Sequence, residues 1–326
     1  MNIAICGFRH AHIGALYELV WRNPDARIVG FWEENNEARA EALKKIDAPV
    51  YETYEAMLAD VDVDAVAVGD YYGIRGQRII QALKAGKHVI SDKPLATDMD
   101  ELKAIEQISS DKGLKVACML DLRYDPAVRL AQEIVSKGEI GEVHAVNFTG
   151  QHPLDYGNRP MWYFEKGKHG GTFNDIAIHG LDAITMITGL KKLTPIAVRQ
   201  WNAFADQERH FKDCAQMIGK YENGAGVMCD VSYSVPSGVG YSLPTYWRFS
   251  IFGHLGMIEF TVGNASVLLA KKGTVKHAMA GEVTGDYLKD FMDEISGKQT
   301  TFATRDTLAS SRLALEIQKA ADDADW

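Results

Sequence analysis

Three groups of residues in this 326-residue chain have types and spacing that suit chemistry. The first is Ser91-Asp92-Lys93-Pro94, which closes an apolar run with the look of a strand. Ligands of open α/β sheets bind at the carboxyl ends of strands, and an amine there can face a cofactor and donate to a substrate oxygen. Pro94 restricts the backbone of Lys93 and admits a cis bond. The second group is Asp175 and His179, four apart in a segment of helical spacing from Thr172 to Ile187. A helix would put both on one face, one turn apart, with Asp182 within reach. An imidazole oriented by a carboxylate is a natural general acid or base. Gly170-Gly171 ahead of the helix admits close approach of another backbone. Plainer readings stand beside these: Lys93 as a loop lysine, Asp175 as a helix-dipole acid, His179 as an interface histidine.

The third group is the turn Cys6-Gly7-Phe8-Arg9-His10-Ala11-His12-Ile13-Gly14. A dinucleotide fold needs a glycine there for the tight turn and a helix N-terminus facing the pyrophosphate. Gly7 fits. Arg9 and His12 stand where the second and third glycines of G-x-G-x-x-G would be, and either brings a cation toward phosphates. Phe8 and His10 complete the loop. Glu33 follows the second strand, where an acid holds the ribose hydroxyls of NAD and repels a 2′-phosphate. That favours NAD over NADP. The plainer readings are a ligand-free strand–helix turn and solvated acids at Glu33 and Glu34. His10 and His12 have no third metal ligand near them in sequence, and Asp175-x-x-x-His179 has no identifiable partner, so no metal site is expected. A G-x-S-x-G nucleophile elbow is absent.

The elements that must position these residues alternate in the first third. Strands are expected at Asn2–Cys6, Ala26–Trp32, Ala65–Val68, Lys87–Ile90 and Lys115–Leu120. Helices are expected at His12–Trp21, Glu37–Lys45, Tyr54–Asp60, Arg78–Ala85 and Met99–Ser110. Such alternation implies a doubly wound parallel sheet. After about residue 122 the rhythm changes. A helix at Ala127–Ser136, a strand at Glu142–Thr149, grouped strands from Ile196 to Leu269, and helices at Tyr287–Ile295 and Asp306–Ala321 imply an α+β domain on a mostly antiparallel sheet. The expected domains are 1–122 for the dinucleotide and 123–326 for the substrate. Between them in role lies Gln151–His169, where His152, Tyr156, Arg159, Trp162 and Tyr163 mix aromatic faces with hydrogen-bonding groups that suit a carbohydrate. Tyr71, Tyr72 and Arg123 are further substrate candidates.

Bulk composition narrows the partners. Hydrophobic residues make up 46% and charged residues 24%, and the net charge is −9. No basic run invites nucleic acid or an anionic membrane. No apolar stretch reaches the roughly 18 residues of a membrane span, and no signal peptide is read at the start. Cys6, Cys118, Cys214 and Cys229 form no C-x-x-C pair. A soluble, cytoplasmic protein is expected.

Four segments, in order, resemble one family. Ala85-Gly86-Lys87-His88-Val89-Ile90-Ser91-Asp92-Lys93-Pro94-Leu95-Ala96 is similar to A-G-K-H-V-x-x-E-K-P-L-A. Arg123-Tyr124-Asp125-Pro126 resembles R-F-x-P, and Gly138-Glu139-Ile140-Gly141-Glu142-Val143 resembles G-x-I-G-E-V. Gly170-Gly171 through Asp175, His179 and Asp182 follows G-G-x-x-x-D-x-x-x-H-x-x-D. Over nearly its whole length the chain resembles the Gfo/Idh/MocA oxidoreductases. The resemblance implies a Rossmann domain, a second domain with a large open sheet that packs on another subunit in a dimer or tetramer, and hydride transfer between NAD(P) and a sugar or polyol carbinol. It implies that His179 takes the hydroxyl proton while Lys93, beside the nicotinamide, and Asp175 orient the substrate. Departures are visible. The loop T-P-N-x-x-H, which lies along the cofactor, is here Asp70-Tyr71-Tyr72-Gly73-Ile74-Arg75. E-K-P is Asp92-Lys93-Pro94, and Asp121 stands at a nicotinamide-contacting position where an amide is usual. The resemblance also admits a glycoside hydrolase that uses bound NAD transiently, or a non-catalytic NAD(P)-sensing regulator.

Overall fold

The computed structural model describes residues 1–239 and 246–324. The chain folds into two compact units. The first holds Met1–Met119, Glu165–Gly170 and Asp286–Arg312; the second holds Leu120–Phe164, Gly171–Gly285 and Leu313–Trp326. The boundary read near residue 122 therefore lies close to the first crossing, but two later segments return to the first unit. A change of rhythm along the chain marks the crossing and carries no signal for such returns.

The first unit opens β1 (Asn2–Cys6), α1 (Ile13–Arg22), β2 (Arg27–Trp32), α2 (Asn36–Leu43), α3 (Tyr54–Ala59), β3 (Ala65–Val68), α4 (Tyr72–Lys84), β4 (His88–Ser91), α5 (Met99–Lys112) and β5 (Val116–Cys118). All five strands are parallel, in the order β2-β1-β3-β4-β5. Ala65, Val66, Ala67 and Val68 are wholly buried, as a central strand covered on both faces must be. Register aligns the strand ends: Cys6 lies opposite Val68, Val68 opposite Ser91, and Ser91 opposite Cys118. Gly7, Asp70 and Asp92-Lys93 thus all leave the sheet at its carboxyl edge. The turn from β1 back to β2, against onward winding through β3, puts the topological switch point between β1 and β3.

One helix of the first unit differs from the sequence reading. The segment expected to begin at Arg78 begins at Tyr72. Two glycines, Gly73 and Gly76, weaken the helical pattern there. They are needed for space: a Cβ on Gly73 would run into the Gly167 carbonyl oxygen, and one on Gly76 would enter the side chain of Glu101 on α5. Helix α5 is read nearly in full, because Asp98 caps Asp100 and Glu101 and the left-handed Gly113 ends it.

In the second unit α6 (Pro126–Ser136) begins with Pro126 at its first turn and Asp125 as its cap. It is followed by β6 (Val143–Pro153), α7 (Ile178–Thr188), β7 (Leu193–Trp201), β8 (Cys214–Tyr221), β9 (Gly226–Val235), β10 (Trp247–Gly253), β11 (Gly256–Thr261), β12 (Ser266–Lys271) and β13 (Thr274–Met279). They form an eight-stranded sheet, β13-β12-β11-β10-β6-β9-β8-β7, antiparallel except for the β6–β9 pair. The chain closes with α8 (Tyr287–Ile295) and α9 (Thr304–Asp322). The helix expected over Thr172–Ile187 is in two parts: a π-helical turn at Phe173–Ala177, then α7. Among the described residues no helix is long and apolar enough to cross a membrane.

Candidate active site

In the first unit the loop after β1 carries the glycine turn. Gly7 has φ of +84°, and a Cβ there would stand 2.7 Å from that of Asp70. The loop is pinned by Gly7 N donating to Trp32 O at 2.9 Å and His10 N donating to Gly69 O at 3.0 Å. Glu33 is buried, and its carboxylate accepts from Phe8 N at 2.6 Å and Asn35 N at 2.7 Å. Burial raises its pKa, although both backbone donors work the other way. Asp70 is also buried and raised by burial; its Oδ2 has no hydrogen-bond partner and stands 3.7 Å from Arg78 Nε. An unbonded buried carboxylate oxygen beside a left-handed glycine, at the switch point, is an acceptor suited to hydroxyl donors. The residues present therefore fit a dinucleotide. Arg9 and Lys168 flank the Tyr71 ring at 5.8 and 5.1 Å. Lys168 was missed in the sequence because it sits in an irregular stretch that local pattern cannot place.

Beneath this loop lies a buried charged cluster. Asp92 Oδ2 meets His10 Nδ1 and, at 2.8 Å, Arg75 Nη2; His12 Nδ1 is 3.5 Å from Oδ1. Burial alone would raise the Asp92 carboxyl, but the His10 ring and the Arg75 guanidinium outweigh it and hold it well below the usual range. Burial pushes the His10 imidazole down to about 3, against the pull of Asp92. A neutral His10 beside a carboxylate must carry its proton on Nδ1, so Nε2 accepts from the Tyr72 hydroxyl at 3.0 Å. Lys93 is buried, 5.6 Å from the Tyr72 ring centroid, and precedes a cis proline. Tyr72 and Arg75 are wholly buried, so they support the loop from below. The fold also supplies the third metal-ligand type that sequence spacing did not show. His10, His12 and Asp92 offer atoms within 4.8 Å of one another. The adjacent Arg75 guanidinium already neutralises that carboxylate.

In the second unit the π turn and α7 carry Asp175 and His179, both buried. Asp175 accepts from the Tyr233 hydroxyl, whose pKa burial and this carboxylate raise. Tyr233 lies on β9 and was not found from sequence, since nothing local links it to Asp175. The His179 Nδ1 lies 3.3 Å from Asp121 Oδ1, without hydrogen-bond alignment. Asp182 faces elsewhere, taking Arg123 Nε and Nη2 at 2.6 Å each. The π turn breaks the simple four-residue face. Left-handed Gly171 makes room for the Gln318 side chain, which accepts from Phe173 N at 3.1 Å, where a backbone was expected. Trp162 and Tyr163 stack at 4.1 Å and are 2% exposed each, and His152 is buried near Trp247. Arg159 lies over both Tyr163 and Tyr233.

The strand order and switch point of the first unit define a Rossmann-type dinucleotide-binding domain. Residues 1–119 match the family profile described as "Oxidoreductase family, NAD-binding Rossmann fold", and residues 128–259 match "GFO/IDH/MocA C-terminal domain". The chain belongs to the Gfo/Idh/MocA family of oxidoreductases. It is 31% identical over 163 residues to levoglucosan dehydrogenase of Pseudarthrobacter phenanthrenivorans, covering 48% of this chain and 41% of that one. It is 29% identical over 167 residues to inositol 2-dehydrogenase of Rhizobium meliloti, covering 51% and 49%. The matches thus span about half or less of these relatives. A solved levoglucosan dehydrogenase in complex with NADH and levoglucosan shares the fold, with a TM-score of 0.81 and 20% identity, over 99% of this chain and 97% of that one.

Proposed function

We propose that this protein is an NAD-dependent oxidoreductase acting on a hydroxyl of a sugar or polyol. The observation that carries the reading is the Gly7–Asp70 junction at the switch point, with Lys93 leaving the adjacent strand β4. Gly7, Phe8, Arg9, His12, Glu33, Asp70 and Tyr71 are assigned to the dinucleotide, and Glu33 with Glu34 disfavours a 2′-phosphate. A dinucleotide held by these residues would supply the acceptor for the hydride of the carbinol carbon. His179 takes the hydroxyl proton; with Asp121 on its Nδ1 side, Nε2 is the nitrogen offered. Asp175, held by Tyr233, and Lys93 orient the hydroxyl. The substrate class is supported by the names of the relatives. The exposed face of the second-unit sheet, where Ile218 and Met228 are each 52% exposed, is assigned to a second copy of the chain. None of the four cysteines is in a disulfide, which supports a cytoplasmic setting.

The test is NADH formation over myo-inositol, levoglucosan and D-xylose, with NAD+ and NADP+ in parallel. One of these compounds is expected to react, faster with NAD+. Lys93→Ala and His179→Ala are each expected to lose about 100-fold or more in kcat, with NADH binding as in the parent for His179→Ala. Turnover of a glycoside without net NADH would replace the reading with a hydrolase. Full function in Lys93→Ala would replace it with a regulator.

A further inference from the structure

Arg75 and Asp92 form a closed arrangement around the backbone of Lys93. The Lys93 N–H donates to Asp92 Oδ1 at 2.8 Å. The Lys93 carbonyl accepts from Arg75 Nη1, while Arg75 Nη2 donates to Asp92 Oδ2 at 2.8 Å. The same guanidinium donates through Nε to Asp70 O at 2.7 Å. One planar side chain from α4 thus ties the exits of β3 and β4. Arg75 and Asp92 are both wholly buried, and the guanidinium packs 4.6 Å from the Tyr72 ring centroid.

We propose that Arg75 is a positioning residue that, with Asp92, clamps Lys93 for the reaction. The claim rests on the reading of Lys93 as catalytic. Its chemistry is that of a rigid fork: only a guanidinium can serve two carbonyls and a carboxylate from one plane, whereas an ammonium offers a point charge. The pair also accounts together for two departures from the motifs the chain resembles. Where those have a histidine and a glutamate, this chain has a longer cation and a shorter acid. The longer cation and the shorter acid are complementary in length and meet at 2.8 Å.

Arg75→Lys keeps the buried charge and removes the fork. It is expected to lower kcat on the fastest of the three substrates by about 100-fold, the scale of a small misplacement of a catalytic group. KM for the sugar or polyol is expected to stay put. In protein labelled with 15N-lysine, with the Lys93 signal identified by its loss in Lys93→Arg, exchange of the Lys93 amide is expected to accelerate. Arg75→His with Asp92→Glu together should exceed the product of the two single effects by on the order of 10-fold; this pair also serves if Arg75→Lys fails to fold. Unchanged kcat per folded molecule with unchanged amide exchange overturns the proposal. Turnover that survives Lys93→Ala fails the catalytic reading instead, and amide exchange alone then decides the clamp.

Discussion

At the scale of single residues, the most consequential group is Asp92, because three cationic or basic side chains converge on it. Its neighbour His10 makes a pH prediction. The fold holds that imidazole down to about 3, whereas its ordinary value is 6.5, so between those values the unfolded chain binds the extra proton. This penalty is absent above pH 6.5 and grows as pH falls toward about 3. Asp92, held low, stabilises the fold above its ordinary 3.8, and that contribution is lost only in stronger acid. Apparent Tm is therefore expected to drop on the acid side of pH 6.5. His10→Asn offers Asp92 a donor without titrating, and should flatten that drop in a calorimetric pH series. An equally steep drop in the variant would assign it to another group. His10, His12 and Asp92 were each visible in the chain, but their meeting was not. The two histidines follow β1 and Asp92 follows β4, and sequence distance says nothing about register.

At the scale of elements, α7 shows how a helix is fitted to a sheet. Gly180 lies against the Phe148 ring of β6, and a Cβ there would enter that ring. Phe148 is itself buried, so it has little room to yield. Gly180→Ala is expected to destabilise by about 1–3 kcal/mol, seen as a lower urea midpoint at constant slope. An unchanged midpoint would show that α7 shifts freely. Strand and helix order was legible through most of the first unit because hydrophobic runs and caps such as Asp98 act locally. The start of α4 was not, since its glycines weaken helix propensity and are justified only by distant neighbours, Gly73 by the backbone of Gly167 and Gly76 by Glu101 on α5. The π turn ahead of α7 was also hidden. Its sequence reads as ordinary helix, and the departure accompanies tertiary contacts such as Gln318 to Phe173.

At the scale of the whole molecule, the second-unit sheet presents one face to helices α6 and α7 and leaves apolar side chains on the other. Ile218 and Met228 adjoin a hollow of about 500 Å³ lined also by Ala197, Val198 and Met217. A contiguous apolar surface left open to water is a site for association. Ile218→Lys with Met228→Glu is expected to lower the sedimentation coefficient to that of a monomer. A parent protein that already sediments as a monomer would remove this assignment.

The chain alone determined the two-part architecture, the parallel first sheet, and the identities of Gly7, Glu33, Lys93, Asp175 and His179 as residues worth testing. These follow from periodicity, turn chemistry and motif spacing, all of which act over a few residues. Only the tertiary structure decided what those residues touch: Tyr233 on Asp175, Asp121 beside His179, and Arg75 on the Lys93 carbonyl. Such partners lie on separate elements, and packing rather than proximity in sequence chooses them.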